Sequence, residues 1–283
     1  MNFIQKNGND KTMLSARIAS RLRVIVIGAG ISALVAGSAF ASDVKEPDDY
    51  RLLKEIILIE FADEKPHEAG PVVPGVMTQI DSQENIMALT FNINANESVP
   101  LDTRLLDFLR KENIPAVFFV SGKWIEKNPE WIKRIGSDEL FEIGSLGLEG
   151  KACTVTGENV PRELSAARSV EELFIEIEKN ARKIESLTGA LPRFIRSPSS
   201  YYDDVAVRMA RAMGYEVIGS MMPDPHSENP PKPEEIFPAR SGAIVAMTLE
   251  DSGIQAAIAL RKTVPRLKSK GFRFVKLGDC SLR

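Results

Sequence analysis

The side chains that could carry acid–base or metal chemistry in this chain are few. His67 and His226 are its two histidines, and a lone loop histidine is more often solvated than ligating. Glu149, Asp203, Asp204, Glu250 and Asp251 fall in or beside expected loops. They could serve as general acids or bases if the fold brings them together. Arg196 is suited to gripping a carboxylate or sulfate through two parallel hydrogen bonds. The adjacent Tyr201 and Tyr202 offer aromatic faces. Cys153 and Cys280 are the two cysteines; an oxidising compartment would allow them to pair, and two free thiols are the equally simple reading.

A different chemistry is suggested near the start, where Gly28-Ala-Gly30 follows an apolar run and fits the glycine turn of a dinucleotide-binding unit. Glu60 would be its ribose-binding acid, but it lies 32 residues beyond Gly28. The fingerprint asks for about 20. Pro47, Asp48 and Asp49 also interrupt the helix such a unit needs, so Gly28 and Gly30 remain a minor alternative. The same stretch fits a targeting leader better. The first 23 residues carry five Lys and Arg against Asp10 alone, residues 24–42 carry no charge, and Ala39-Phe40-Ala41 offers a small-residue cleavage site. Residues 1–41 therefore read as a signal peptide or an N-terminal membrane anchor. Either implies export, to the periplasm or outside the cell, or attachment to the inner membrane if the leader stays. Its removal would shift the net charge from -3 to -7, which argues against a nucleic-acid grip.

The elements that must position any site follow from the apolar pattern. The chain is 43% hydrophobic and 27% charged, ordinary for a globular domain. Residues 42–84 read as a linker or N-terminal extension with one strand at 56–61. Beyond them, residues 85–283 form the main domain, with strands expected near 86–91, 115–120, 139–143, 192–196, 215–219, 243–247 and 272–277. Helical stripes alternate with them, as in Leu101, Leu105, Phe108 and Leu109, or Leu173, Ile177, Ala181, Ile184 and Leu187 before Gly189. This is an α/β rhythm, and its loops gather at the C-terminal rim of a parallel sheet or barrel.

Several ordered segments resemble the NodB-type polysaccharide deacetylases, carbohydrate esterase family 4, over residues 86–277. They are Thr90-Phe91-Asn92-Ile93-Asn94, the run from Leu105 to Val120, Glu142-Ile143-Gly144, Pro192-Arg-Phe-Ile-Arg196-Ser-Pro198 and Pro265 to Val275. The resemblance implies a distorted (β/α)7 barrel. It also implies that the family's functional positions have been replaced. Asn92 stands where the family has its catalytic Asp, and Ile93 where it has a metal-binding Asp. Leu146 and Gly150 stand for the two metal-binding histidines, and Thr248 for the general acid. An amide is no general base near neutral pH, and Ile, Leu and Gly offer no side-chain ligand. No cofactor is expected, the family's zinc or other divalent ion being lost.

What remains is a groove in which Arg196, Asn94, Tyr201 and Tyr202 could hold a cell-envelope polysaccharide or peptidoglycan, the tyrosines stacking on sugar rings. A second reading pairs Arg196 with Glu142 or Asp224, or turns it to solvent. The expectation is an exported pseudoenzyme that binds a glycan or a protein partner, with the membrane involved only through the leader. The alternative is an active N-acetyl sugar deacetylase, a hydrolase of carbon–nitrogen bonds using replacement acids.

Overall fold

In the computed structural model, the described residues are 46–94, 101–158, 160–162, 164–219, 237, 239–249 and 253–283. The leader, Gly28, Gly30, His226, Asp224, Glu250 and Asp251 lie outside them.

The described chain begins with helix α1, Asp48–Phe61. This corrects the strand expected at 56–61. Tyr50, Leu53, Ile57 and Phe61 recur at helical spacing and are buried, so the apolar run forms a helical stripe. It packs on α5 (Val170–Thr188) and is pinned there by Asp49, which accepts from Arg182 at 2.6 Å, and by a Lys54–Glu171 ion pair at 2.7 Å. Two short strands follow, β1 (Ala69–Gly70) and β2 (Val76–Met77).

The main sheet is a curled, largely parallel half-barrel. Its centre is β3 (Ile86–Ile93), with β9 (Ala243–Thr248) along one edge and β4 (Ala116–Val120) along the other. From β4 the order continues through β5 (Phe141–Ser145), β6 (Phe194–Ile195), β8 (Glu216–Ile218) and β2, and β10 (Arg273–Phe274) pairs with the start of β3. The seven expected strands are all present. The far ends approach through an isolated bridge from Gln79 to Ala243, which nearly closes the curl. A separate antiparallel pair joins β1 to β7 (Tyr202–Asp203).

Helices cover the outside. In α2 (Thr103–Lys111), Asp102 caps the first turn by accepting from the Arg104 amide at 2.8 Å, and Leu105, Leu106, Phe108 and Leu109 are buried. α3 (Gly122–Lys127) and α4 (Pro129–Gly136) follow β4. In α5, Ser169 accepts from the Glu172 amide, and the helix stops at Gly189 with φ +79°. α6 (Asp204–Ala212) and α7 (Ile254–Ser269) complete the layer.

Strand alternation divides the core in two. Ile86, Ala88, Val117, Phe119, Leu146, Phe194, Ile218 and Ile244 fill the inside of the curl. Met87, Leu89, Phe91, Ile93, Phe118, Val120 and Val245 point outward beneath α2 and α7. A residue on β3 is therefore assigned to a face by its parity.

Candidate functional site

Thr90 and Asn92 share the inner face of β3 with Ile86 and Ala88, and Arg196 reaches them from the end of β6. Its Nη1 donates to Thr90 Oγ1 at 2.7 Å and to Asn92 Oδ1 at 3.0 Å. Nε donates to the Ile218 carbonyl at 3.3 Å and Nη2 to the Gly219 carbonyl at 3.1 Å. The guanidinium also lies 4.2 Å from the centroid of the Phe119 ring. All these partners are neutral. Arg196 is 1% exposed, and neither Glu142 nor solvent is its partner; Asp224 lies outside the described residues. Burial pushes its pKa down to about 10, and at neutral pH it remains a cation. Carbonyl dipoles, an amide, a hydroxyl and an aromatic face hold that charge in place.

The other positions expected to be replaced surround this contact unevenly. Thr248 stands directly opposite Asn92 in the β3–β9 register and is exposed at the rim. Leu146 is fully buried among the inner residues, with its amide donating to the Val120 carbonyl at 3.0 Å. Ile93 departs from the others: it belongs to the outer core beneath the helices and is 1% exposed. Gly150 is held in a loop that wraps a carboxylate, its amide donating to Glu176 Oε1 at 2.7 Å with its own φ at +84°. Thus Asn92, Leu146 and Thr248 share the inner face or its rim. Ile93 faces the other way, and Gly150 is fixed to α5.

Glu176 carries no sequence expectation, yet it organises the loop after β5. The amides of Glu149, Gly150 and Lys151 all donate to it, at 2.7 to 2.9 Å for Oε1. A side chain at Gly147 would collide with it, the ideal Cβ lying 2.6 Å from Oε1. The sequence signal was its place three residues after Leu173, on the buried side of α5, together with the glycines at 147 and 150. Desolvation raises its pKa against the opposing pull of the three amides. The folded state therefore holds the Glu176 proton more tightly than the unfolded chain. Its contribution to stability is full below the ordinary glutamate value of about 4.3 and is lost as pH rises through the folded-state value. Glu176→Gln should flatten this part of the stability profile. Denaturant titrations across that window check it, and an unchanged slope would reject the assignment.

The groove assignments fare differently. Tyr202 is a core residue: it is fully buried, its hydroxyl accepting from the Ser197 amide at 3.2 Å and donating to the Ile218 carbonyl at 3.1 Å. A tyrosine so engaged cannot stack on a ligand, which corrects the expectation. Tyr202→Phe should cost about 1–3 kcal/mol through the unpaired Ser197 amide. Denaturation measures that cost, and unchanged stability would contradict the two bonds. Tyr201 is half-buried beside it. Asn94 is half-buried at the rim, two residues beyond Asn92, and its Oδ1 is sealed from solvent with no hydrogen-bond partner among the described residues.

The described acids are committed to structure. Asp203 caps α6 by accepting from the Ala206 amide at 2.6 Å and also accepts from the Val155 amide at 2.7 Å. Asp204 accepts from the amides of His67 and Glu68, and Glu149 pairs with Lys123 at 2.5 Å. Among the described residues, no three of His, Cys, Asp and Glu are grouped to hold a metal ion. Cys153 is buried and Cys280 half-buried, and both are free thiols.

With this geometry in view, residues 79–218 match the family model described as polysaccharide deacetylase. The chain is 28% identical over 213 residues to a peptidoglycan-N-acetylglucosamine deacetylase of Bacillus cereus, covering 72% of this chain and 92% of that one. A Listeria monocytogenes peptidoglycan-N-acetylglucosamine deacetylase is 27% identical over 197 residues, and the chain spans 38% of its length. Among solved structures, a carbohydrate esterase family 4 pseudoenzyme from Bacillus anthracis aligns with TM-score 0.56 at 22% identity, over 74% of this chain and 69% of that one. A mutant of that protein has restored enzymatic activity.

Proposed function

Since residues 79–218 are a polysaccharide deacetylase domain, we propose that this chain is an exported pseudoenzyme of the family, one that binds a cell-envelope polysaccharide without deacetylating it. The reading is carried by the Arg196–Asn92 contact. At the place of the base stands an amide whose oxygen already accepts from a buried guanidinium. It has no proton-accepting capacity to offer a water molecule.

The family's divalent ion does not fit the residues present. Catalytic metal sites of this kind use three protein ligands and an open position. Ile93 lies in the outer core, Leu146 plugs the inner face, and Gly150 has no side chain. No metal-dependent step runs through these residues. The described carboxylates Glu149, Asp203 and Asp204 are held by other groups, which counts against a replacement acid–base set. The substrates of the relatives support the choice of ligand class: they are deacetylases of peptidoglycan N-acetylglucosamine. Export rests on the basic and apolar pattern of residues 1–42.

The test is to purify the chain, measure bound zinc, cobalt and nickel, and assay acetate release from chitooligosaccharides and peptidoglycan fragments. Binding of the same fragments is then measured by titration calorimetry. Fragment binding without acetate release is the expected result. Stoichiometric metal with acetate release would sink the pseudoenzyme reading, and failure to bind any fragment would sink the glycan reading.

A further inference from the structure

The overall charge of the chain is negative, at -3, yet from Ile254 to Leu277 the sequence carries seven Lys and Arg and no Asp or Glu. Helix α7 accounts for most of this stretch, and its two faces are chemically distinct. Leu260, Val264 and Leu267 are buried against the barrel. Arg261, Lys262 and Arg266 are exposed on the opposite side, and Ile258, one turn before Lys262, is 45% exposed. Lys270 extends the cationic face beyond the helix end.

Among the described residues, neighbouring groups do not neutralise it. Glu112 on α2 is paired with Lys268 at 2.9 Å, and Asp107 lies within 3.5 Å of Arg110. Arg261 leans over the Phe108 ring at 5.2 Å while staying exposed. Among the described residues, Lys262, Arg266 and Lys270 have no ion-pair partner. An unpaired cationic helix face with an exposed aliphatic side chain at its N-terminal end is the composition of an interfacial surface. The charges are drawn to anionic headgroups, and the aliphatic group enters the boundary beneath them.

We propose that the outer face of α7 docks on an anionic phospholipid bilayer. Ile258 favours lipid over a soluble polyanion, which would have no use for an exposed apolar side chain one helical turn from Lys262. The uncharged residues 24–42 point to the same compartment boundary.

The test uses the full chain in sedimentation with vesicles of phosphatidylcholine alone or with phosphatidylglycerol, at low and high salt. The expected result is at least tenfold tighter binding to the phosphatidylglycerol vesicles, weakened by salt. Arg261→Glu/Lys262→Glu/Arg266→Glu should abolish the preference, and Ile258→Ser should weaken vesicle binding several-fold. These side chains are exposed, and circular dichroism confirms that the variants fold; Lys262→Gln/Arg266→Gln gives a milder second variant. Equal vesicle binding by wild type and the triple variant would overturn the proposal, because the basic leader would then carry the attraction. Binding to inorganic polyphosphate without any vesicle preference would also overturn it, by placing a soluble polyanion on this face.

Discussion

Arg196→Met lowers the unfolding free energy by about 2–5 kcal/mol, because it removes the donors used by two buried acceptors at once. Asn92 Oδ1 and the Gly219 carbonyl both receive their bonds from Arg196, and each orphaned group costs about 1–3 kcal/mol. The Ile218 carbonyl is protected, since the Tyr202 hydroxyl also donates to it. Part of the loss is offset because a desolvated charge no longer has to be held inside the curl. Against a typical total stability of about 5–15 kcal/mol, the variant sits near the limit of folding. The companion Arg196→Met/Asn92→Leu recovers much of the loss, since two apolar groups leave no amide unpaired between them. Denaturant titrations of wild type, both single variants and the double close the cycle. Additive effects would mean that the Arg196–Asn92 bond contributes nothing.

This contact also marks the limit of what the sequence could reveal. The parity of β3 was legible, because Ile86, Ala88, Thr90 and Asn92 alternate with larger apolar residues, and the α5 stripe from Leu173 to Ile184 is buried as read. The chemistry that Asn92, Leu146, Gly150 and Thr248 can offer was equally legible, since residue identity alone decides which side chain can take a proton or bind a metal. What could not be read is how a buried cation is held without a carboxylate among the described residues. The answer lies in carbonyls at 218 and 219, which have no side-chain signature, and in Thr90, whose hydroxyl also donates to the Val245 carbonyl at 2.9 Å. The helix at Asp48–Phe61 was missed for a related reason. Ile56, Ile57, Leu58 and Ile59 are consecutive apolar residues that fit a short strand locally, and only the longer spacing from Tyr50 to Phe61 favours a helix.

Restoring the residues that the resemblance implies by simple replacement is expected to fail in this chain, for reasons of side-chain facing and backbone conformation. In the variant Asn92→Asp/Ile93→Asp/Leu146→His/Gly150→His, the new Asp at 93 enters the outer apolar core instead of the rim. An unpaired carboxylate there costs several kcal/mol or takes up a proton. The new His at 150 must adopt a φ near +84°, costing about 1 kcal/mol or more, while the loop stays tied to Glu176. The expected outcome is a largely unfolded protein without stoichiometric zinc. Tight one-to-one zinc binding by a folded variant would overturn the facing of Ile93. Asn92→Asp alone behaves oppositely. Its carboxylate meets Arg196 where Asn92 Oδ1 now accepts at 3.0 Å, gaining a charge-assisted bond and raising stability by about 1–2 kcal/mol at neutral pH. Beside the guanidinium its pKa falls below the ordinary aspartate value of about 3.9. The gain is therefore present above that value and disappears as pH drops through the depressed one. A stability difference between this variant and wild type that stays constant through the acid range would show that no such ion pair forms. The two variants together separate the two expected positions: an Asp at 92 meets a ready partner in Arg196, whereas an Asp at 93 is driven into the core.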